Sequence, residues 1–139
     1  MSAEANLVAM RGLQEAWASH DLDRIAAFFH PDFVNHQTPF EPVIGLEAYL
    51  RHCAHWFEAY PDLRFECVSM FGQGDLVCVE NRATGTREAG FFGTGSSSRE
   101  ELFESCDVLE FRDGKVACQR GYWDFSVTTG EVAPRGRRE

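Results

Sequence analysis

The sequence has too few positive charges for a protein that binds phosphate backbones. Its 13 lysines and arginines stand against 22 aspartates and glutamates, which gives a formal net charge of −9. Nucleic acids and anionic membranes are bound through clustered basic side chains. The one basic cluster, Arg135, Arg137 and Arg138, lies in a tail with Gly and Pro and is interpreted as keeping that tail solvated. We therefore expect no nucleic acid and no membrane as partner.

Long apolar runs are also missing. No run of about 18 apolar residues occurs, and Met1 to Arg11 lacks the apolar core of a signal peptide. The cysteines are odd in number, lie in apolar stretches and have no C-x-x-C spacing (Cys53, Cys67, Cys78, Cys106 and Cys118). This usage is typical of reduced thiols rather than of disulfides or zinc ligands, and it predicts a cytoplasmic protein.

Motifs for common cofactors and nucleophiles are absent. The chain has no G-x-G-x-x-G after a strand, no P-loop and no G-x-S-x-G, which hold dinucleotides, triphosphates and nucleophilic serines. His52 and His55 stand three residues apart on a predicted helix, but His55 is on its polar side and no carboxylate completes a metal site. We expect neither a cofactor nor a metal.

Aromatic residues, in contrast, are abundant. The 139 residues include 12 Phe, three Trp and three Tyr, and 44% of the chain is hydrophobic. A chain of this length buries a real core, but the core of one domain needs only some of these rings. The remainder suit a cavity for a small hydrophobic ligand, with Trp17 and Trp56 as candidate contacts.

Apolar periodicity divides the chain into helices followed by strands. Helical spacing occurs in Leu7–Trp17, Leu22–Phe29 and Leu46–Tyr60. Period-two alternation then predicts four strands, at Leu63–Phe71, Leu76–Thr86, Glu101–Phe111 and Lys115–Phe125. This order predicts an α+β fold, with three N-terminal helices packed on a curved antiparallel sheet that encloses a pocket. We expect one domain over residues 1–128, a pocket-covering loop over Gly90–Ser98, and a flexible polar tail over residues 129–139.

The Asp113-Gly114 turn predicts the register of the last hairpin. With a two-residue turn, Asp107 faces Arg120 and Phe103 faces Asp124. Opposed residues share a face of the sheet. The more apolar face, expected to line the interior, then carries Phe103, Asp107, Leu109, Phe111, Val116, Cys118, Arg120, Tyr122 and Asp124. A bulge in either strand would invert the faces beyond it.

Asp124 is the leading catalytic candidate from this register. Asp107 and Arg120 offset each other, whereas Asp124 is opposed by Phe103 and adjoins Tyr122. Apolar surroundings raise the pKa of a carboxyl, and a shift from ~3.9 towards ~6–7 corresponds to about 3–4 kcal/mol. Such a group suits general acid–base catalysis. A solvated position at a frayed strand end is the alternative.

Several segments together resemble the SnoaL-like polyketide cyclases of the nuclear transport factor 2-like superfamily. The resemblance covers residues 5–126, and its clearest segments are Phe33-Val34-Asn35-His36, Tyr60-Pro61-Asp62-Leu63-Arg64-Phe65-Glu66, Gly90-Phe91-Phe92-Gly93, Phe111-Arg112-Asp113-Gly114-Lys115-Val116 and Tyr122-Trp123-Asp124. It implies a cone-shaped α+β fold, a hydrophobic pocket and a homodimer packed through the sheet. It also implies that Asp124 is the acid/base of a cofactor-free, metal-free aldol closure. Many relatives read Glu-His-Trp-Asp where this chain has Cys118, Gln119, Arg120 and Gly121, which removes polar helpers and adds a cation.

Two further groups of polar residues are candidates for the pocket. His36 follows the second helix, and a related ketosteroid isomerase places its base near this point, so His36 is a candidate acid/base with Asn35 as hydrogen-bond donor. A surface or capping role for His36 is the alternative. Asn81 falls on the apolar side of its strand and is a candidate for orienting a substrate carbonyl, or else a hydrogen-bonded core amide.

Three functions fit these residues. The first is a cofactor-independent lyase or isomerase that closes or rearranges a small hydrophobic carbonyl compound, with Asp124 transferring the proton. The second is an epoxide hydrolase in which Asp107, Arg120 and Asp124 activate water. The third is a small-molecule-binding dimer without activity, since fold alone does not fix function.

Overall fold

The computed structural model describes residues 2–38, 40–88 and 100–123. This part of the chain contains three helices and six strands, in the order α1 (Ala3–Ser19), α2 (Leu22–Ala26), β1 (Phe29–Thr38), β2 (Val43–Ile44), α3 (Leu46–Ala59), β3 (Arg64–Gln73), β4 (Leu76–Thr86), β5 (Glu100–Arg112) and β6 (Lys115–Trp123). The Gly90–Ser98 loop, Asp124 and the tail over residues 129–139 lie outside the described residues.

Local side chains fix where the helices begin. The Ser2 hydroxyl accepts a hydrogen bond from the Ala5 amide at 3.1 Å, and the Asp21 carboxylate accepts from the first amides of α2. Both contacts satisfy amides that a helix start leaves without partners. Helix α2 is shorter than predicted, because the chain already enters β1 at Phe29. The ring of Phe29 packs on that of Tyr49 in α3, with 4.9 Å between centroids.

The strands form one open sheet in the order β2-β1-β6-β5-β4-β3. Strand β1 runs parallel to β6, while the other neighbours are antiparallel. The predicted all-antiparallel sheet is therefore wrong at β1. Its sequence showed only the end of a helical stripe and a short extended segment, and pairing with a strand about 80 residues away leaves no local pattern.

A bulge in β6 changes the register of the last hairpin. Arg112 pairs with Lys115 and Phe111 with Val116, as predicted, but Glu110 pairs with Cys118, so that Ala117 is an extra residue. Every residue of β6 beyond Ala117 consequently lies on the face opposite to the predicted one. The expected interior positions of Cys118, Arg120 and Tyr122 are wrong, and the interior instead contains Gln119, Gly121 and Trp123.

The consequences of this inversion are visible at Arg120 and Tyr122. Arg120 forms an ion pair with Glu110 at 3.5 Å on the outer face, rather than with Asp107. The Tyr122 side chain is 50% exposed. A second bulge, at Val68 in β3, has the same effect, because it turns Phe71 outward.

The main core lies between the helices and the inner face of the sheet. It contains Met10, Leu13, Trp17, Ile25, Phe29, Phe33, Tyr49, Cys53, Val77, Val79, Leu109, Phe111 and Val116. The interior placement of Leu109, Phe111 and Val116 agrees with the predicted register, since these residues lie before the bulge. Over the three described ranges, no helix is long and apolar enough to cross a membrane.

Candidate functional site

A cavity of about 120 Å³ opens between α1, α3 and the inner face of the sheet. Its helix side carries Trp17, Tyr49, His52, Cys53, Trp56 and Phe57, and its sheet side carries Asn35, Gln37, Phe65, Asn81, Ala83, Phe103, Ser105, Asp107, Gln119 and Trp123, with Leu63 between them. The sheet side, which forms the floor of the cavity, therefore contains one carboxylate and several amides, and the aromatic rings of the helix side face it.

Asp107 is the ionisable group on this floor. Its side chain is 7% exposed on β5. One carboxylate oxygen accepts from Gln119 Nε2 at 3.3 Å and the other from Ser105 Oγ at 3.4 Å. Burial raises the pKa of Asp107 to about 6, and the two hydrogen bonds offset this rise only in part. Both bonds are longer than usual, and no cation from the described residues replaces the water that the carboxylate has lost.

Gly121 leaves the space that Asp107 occupies. A Cβ atom at this position would lie 2.8 Å from Asp107 Oδ1 and 3.5 Å from Gln37 Nε2. The carboxylate and the Gln37 amide thus converge over the backbone of β6 where a side chain is missing. Any larger residue would push the carboxylate away, so Gly121 has a positioning role in this cavity.

Gln119 and Asn35 form the amide part of the floor. They are direct neighbours across the parallel pair of β6 and β1. The two residues are 7% and 3% exposed, and within the described ranges no group donates a hydrogen bond to the buried atoms Gln119 Oε1 and Asn35 Oδ1. Buried acceptors without partners are uncommon in proteins and require an explanation.

His52 is a neutral imidazole on the helix side. Its Nε2 accepts a hydrogen bond from the Trp56 indole N–H at 3.2 Å, one helical turn further on. An indole nitrogen only donates, so the proton of neutral His52 is on Nδ1. Burial and, to a smaller extent, the neighbouring His55 together lower the pKa of His52 to about 4. The side chain is therefore uncharged at neutral pH.

Tyr49 provides a hydroxyl that stays protonated. Burial raises its pKa well above the ordinary value, and the nearby Cys53 and Asp107 raise it further, while a hydrogen bond from Trp17 opposes the change. The Cys53 thiol is also protonated, because burial raises its pKa to about 12. Neither group is a nucleophile at neutral pH.

Asn81 and the predicted aromatic contacts lie at the cavity. The Asn81 amide exchanges two hydrogen bonds with Gln14, at 2.8 and 3.2 Å, which makes it a satisfied amide rather than a free ligand for a substrate carbonyl. Phe103 packs edge-on against Trp56 and Trp123, with centroids 5.8 and 5.2 Å apart.

His36 does not reach the cavity, contrary to expectation. Side chains alternate along β1, so Asn35 and Gln37 face inward and His36 is exposed beside Arg120 on the outer face. Of the predicted site residues, the structure brings together Trp17, Asn35, Trp56, Asn81, Phe103 and Asp107, and it separates His36, Arg120 and Tyr122 from them.

Several residues of the cavity were not predicted from the sequence. Tyr49, His52 and Cys53 share one helix face with Trp56, and their spacing would have revealed them. Gln37 lies two residues after Asn35 on the same strand, so strand alternation places its side chain on the same face. Gln119 and Gly121 depend on the bulge at Ala117, for which the sequence offers no signal.

Metal binding has no support in the described parts of the chain. No group of three or more His, Cys, Asp or Glu side chains there is arranged to hold a metal ion.

The SnoaL-like polyketide cyclase family model matches residues 7–129. The chain belongs to this family. The predicted resemblance and the α+β fold class are thus confirmed. Among curated proteins, none matches the sequence significantly.

Solved structures with the same fold are distant in sequence. A candidate SnoaL-like cyclase from a Jannaschia species has a TM-score of 0.85 at 23% identity, over 96% of this chain and 95% of that one. A candidate hydroxylase from Streptomyces galilaeus has a TM-score of 0.82 at 22% identity, over 98% and 87%. A candidate polyketide cyclase from Streptomyces antibioticus has a TM-score of 0.77 at 23% identity, over 91% and 96%. These likenesses establish the nuclear transport factor 2-like fold.

Proposed function

We propose that the protein is a cofactor-independent lyase or isomerase that transfers a proton on a small hydrophobic carbonyl compound, as polyketide cyclases do. The Asp107 carboxyl carries the proposal, because it lies on the cavity floor with a pKa raised to about 6. A carboxyl near neutrality exists in both protonation states under working conditions, which is what general acid–base catalysis requires.

The residues suggest a proton cycle that needs no other reagent. Ionised Asp107 removes a proton from the carbon next to a carbonyl, and the electron pair moves to the carbonyl oxygen to give an enolate. The enolate carbon then bonds to a second carbonyl carbon of the same molecule, and protonated Asp107 returns its proton to the new alkoxide. The product is an isomer of the substrate, and later loss of water would give a lyase product.

Asp124 remains a second candidate for the same role. The family resemblance assigns the acid/base to this position, which directly follows Trp123 on the cavity wall. Two carboxyls with different pKa values would divide the roles of base and acid. Single variants of each residue separate these possibilities.

The test is exchange of carbon-bound protons in deuterated buffer, followed by NMR on a panel of small cyclic ketones and diketones. The wild type is expected to accelerate exchange, and Asp107→Asn to lower the rate by ~10²–10⁴. Asp32→Asn, on an exposed strand position, is the matched control. Full activity of Asp107→Asn together with loss in Asp124→Asn would transfer the role to Asp124. Absence of exchange with intact binding would favour the non-catalytic alternative.

The epoxide-hydrolase alternative loses its geometric basis. It requires Arg120 beside Asp107, and these residues lie on opposite faces of the sheet. We do not extend that triad to this chain.

We also propose a homodimer that packs through the outer face of the sheet. This face carries Phe71 and Tyr122, which are 62% and 50% exposed, together with Val68. An interaction surface is marked by exposed apolar side chains that share one face, and a dimer contact would cover these three residues together. Phe71→Glu should lower the sedimentation coefficient to that of a monomer, whereas an unchanged coefficient would place the contact elsewhere.

A further inference from the structure

We infer that the cavity selects a ring-shaped ligand whose hydroxyl donates a hydrogen bond to the side-chain oxygen of Gln119, beside which Asn35 offers a second acceptor. The ligand class is a hydroxylated six-membered ring, such as a phenol or a cyclic enol. The inference rests on the proposed function only in taking this cavity as the ligand site.

The orientation of Gln119 is fixed by its neighbour. The Asp107 carboxylate only accepts hydrogen bonds, so the amide nitrogen of Gln119 must face it, at 3.3 Å. The amide oxygen consequently points away from Asp107. This oxygen is buried and no group in the described structure donates to it. Such an atom costs stability unless a ligand or a water molecule donates to it.

Asn35, on the neighbouring strand β1, provides a second observation of the same kind. Its Oδ1 atom is likewise buried without a partner, and the residue is paired with Gln119 across the two strands. Asn81 lies on the same sheet face and differs from Asn35 and Gln119, because both its amide oxygen and its amide nitrogen form hydrogen bonds with Gln14. Among the described residues that line the floor, the buried acceptors without a donor are therefore the oxygens of Gln119 and Asn35, which lie on neighbouring strands.

The remaining walls supply apolar surface for the part of the ligand that enters the cavity. The cavity volume is about 120 Å³, less than the roughly 150 Å³ of a closed cavity that holds one benzene ring, but this cavity is open on one side, so that a ring can enter it with one edge outside. Trp17, Phe65, Trp56 and Phe103 supply the apolar surfaces against which such a ring packs. A ring with a hydroxyl at its edge would donate its one hydrogen to an acceptor on the floor while it packs against the aromatic walls.

A wholly apolar ring would exclude water from the floor and would donate no hydrogen bond to Gln119 Oε1 or Asn35 Oδ1. A site that contains buried acceptors rejects analogues that lack the matching donor. The cavity is accordingly expected to discriminate between phenol, which donates, and anisole or toluene, which do not.

The experiment measures dissociation constants of phenol, anisole and toluene by NMR titration at pH 7, where phenol is neutral. We expect phenol to bind about 10-fold more tightly than anisole. Gln119→Met retains the length of the side chain but removes the acceptor, and it should weaken phenol binding by about 5- to 10-fold. Its affinity for toluene should stay the same or rise.

Two controls complete the test. Phe65→Leu removes apolar contact and should weaken all three ligands by a similar factor. Asn35→Leu should act on phenol in the same direction as Gln119→Met, and either variant alone suffices if the other unfolds. Equal affinities of the wild type for phenol and anisole would overturn the inference. So would a phenol preference that keeps its wild-type size in both Gln119→Met and Asn35→Leu, since the acceptor would then be Asp107. Because the readout is binding, loss of turnover in Asp107→Asn leaves it unaffected.

Discussion

Replacing Asp107 by Asn should make the protein more stable at neutral pH. The pKa of this carboxyl is 3.8 in its ordinary state and about 6 in the folded protein. Between these values the folded chain binds a proton that the unfolded chain has lost. Folding stability therefore decreases as the pH rises through this window, and the full cost above pH 6 is about 3 kcal/mol. Asn carries no charge and avoids this cost.

The measurement is urea unfolding of wild type and Asp107→Asn at several pH values between 4 and 7.5. The difference in unfolding free energy should change by about 2–3 kcal/mol across this range, in favour of the variant at high pH. Asn can still accept from Gln119 Nε2, so that the contact at 3.3 Å is preserved. His52 has the opposite pH dependence, because burial lowers its pKa to about 4, but its contribution cancels between the two proteins.

The pH dependence is more informative than any single stability value. A difference in unfolding free energy that is the same at every pH reports packing around residue 107. Only a buried carboxyl that titrates makes this difference change with pH between pH 4 and 6. A difference that stays flat over the whole range would refute the reasoning, since Asp107 would then have the same pKa in both states. Gain of stability with loss of activity would be the trade-off expected of a catalytic residue.

Three further variants probe the surroundings of the carboxylate. Gly121→Ala introduces a Cβ atom 2.8 Å from Asp107 Oδ1. It should lower stability by ~1–3 kcal/mol and proton-exchange activity by at least ~10-fold. Wild-type values in the unfolding and exchange assays would contradict this expectation. Trp56→Phe removes the donor to His52 Nε2 and should raise the pKa of His52 in an NMR titration, whereas an unchanged pKa would show that this contact is weak. Asn81→Ala leaves the Gln14 amide unpaired and should cost ~1–3 kcal/mol in urea unfolding, with Glu47→Ala on the exposed face of α3 as control.

Local patterns in the sequence predicted most of the fold. The caps at Ser2 and Asp21, the span of α3 and the hairpin at Asp113-Gly114 all depend on residues close together in the chain. Strands β1 and β2 were not predicted, and β1 is the more consequential of the two. Its partner β6 is far away in sequence, and a strand that contains Pro31 and charged residues lacks clean alternation.

The site was predicted less completely because one extra residue in β6, Ala117, determines which side chains of that strand face the cavity. The sequence placed Asp107 inside, and this part of the register lies on β5, where alternation is regular. The bulge at Ala117 then exchanged Arg120 for Gln119 as the neighbour of Asp107. The exchange replaces a compensating cation by a neutral amide, so that the expected structural ion pair becomes a buried carboxyl with two long hydrogen bonds and a raised pKa.

The pKa of Asp107 is the most direct test of the account. Carboxyl carbons can be followed by NMR during a pH titration, and the resonance that disappears in Asp107→Asn identifies the residue. We predict a midpoint at about 6. A midpoint near 4 would mean that the carboxyl is solvated or paired, and it would contradict a role in proton transfer.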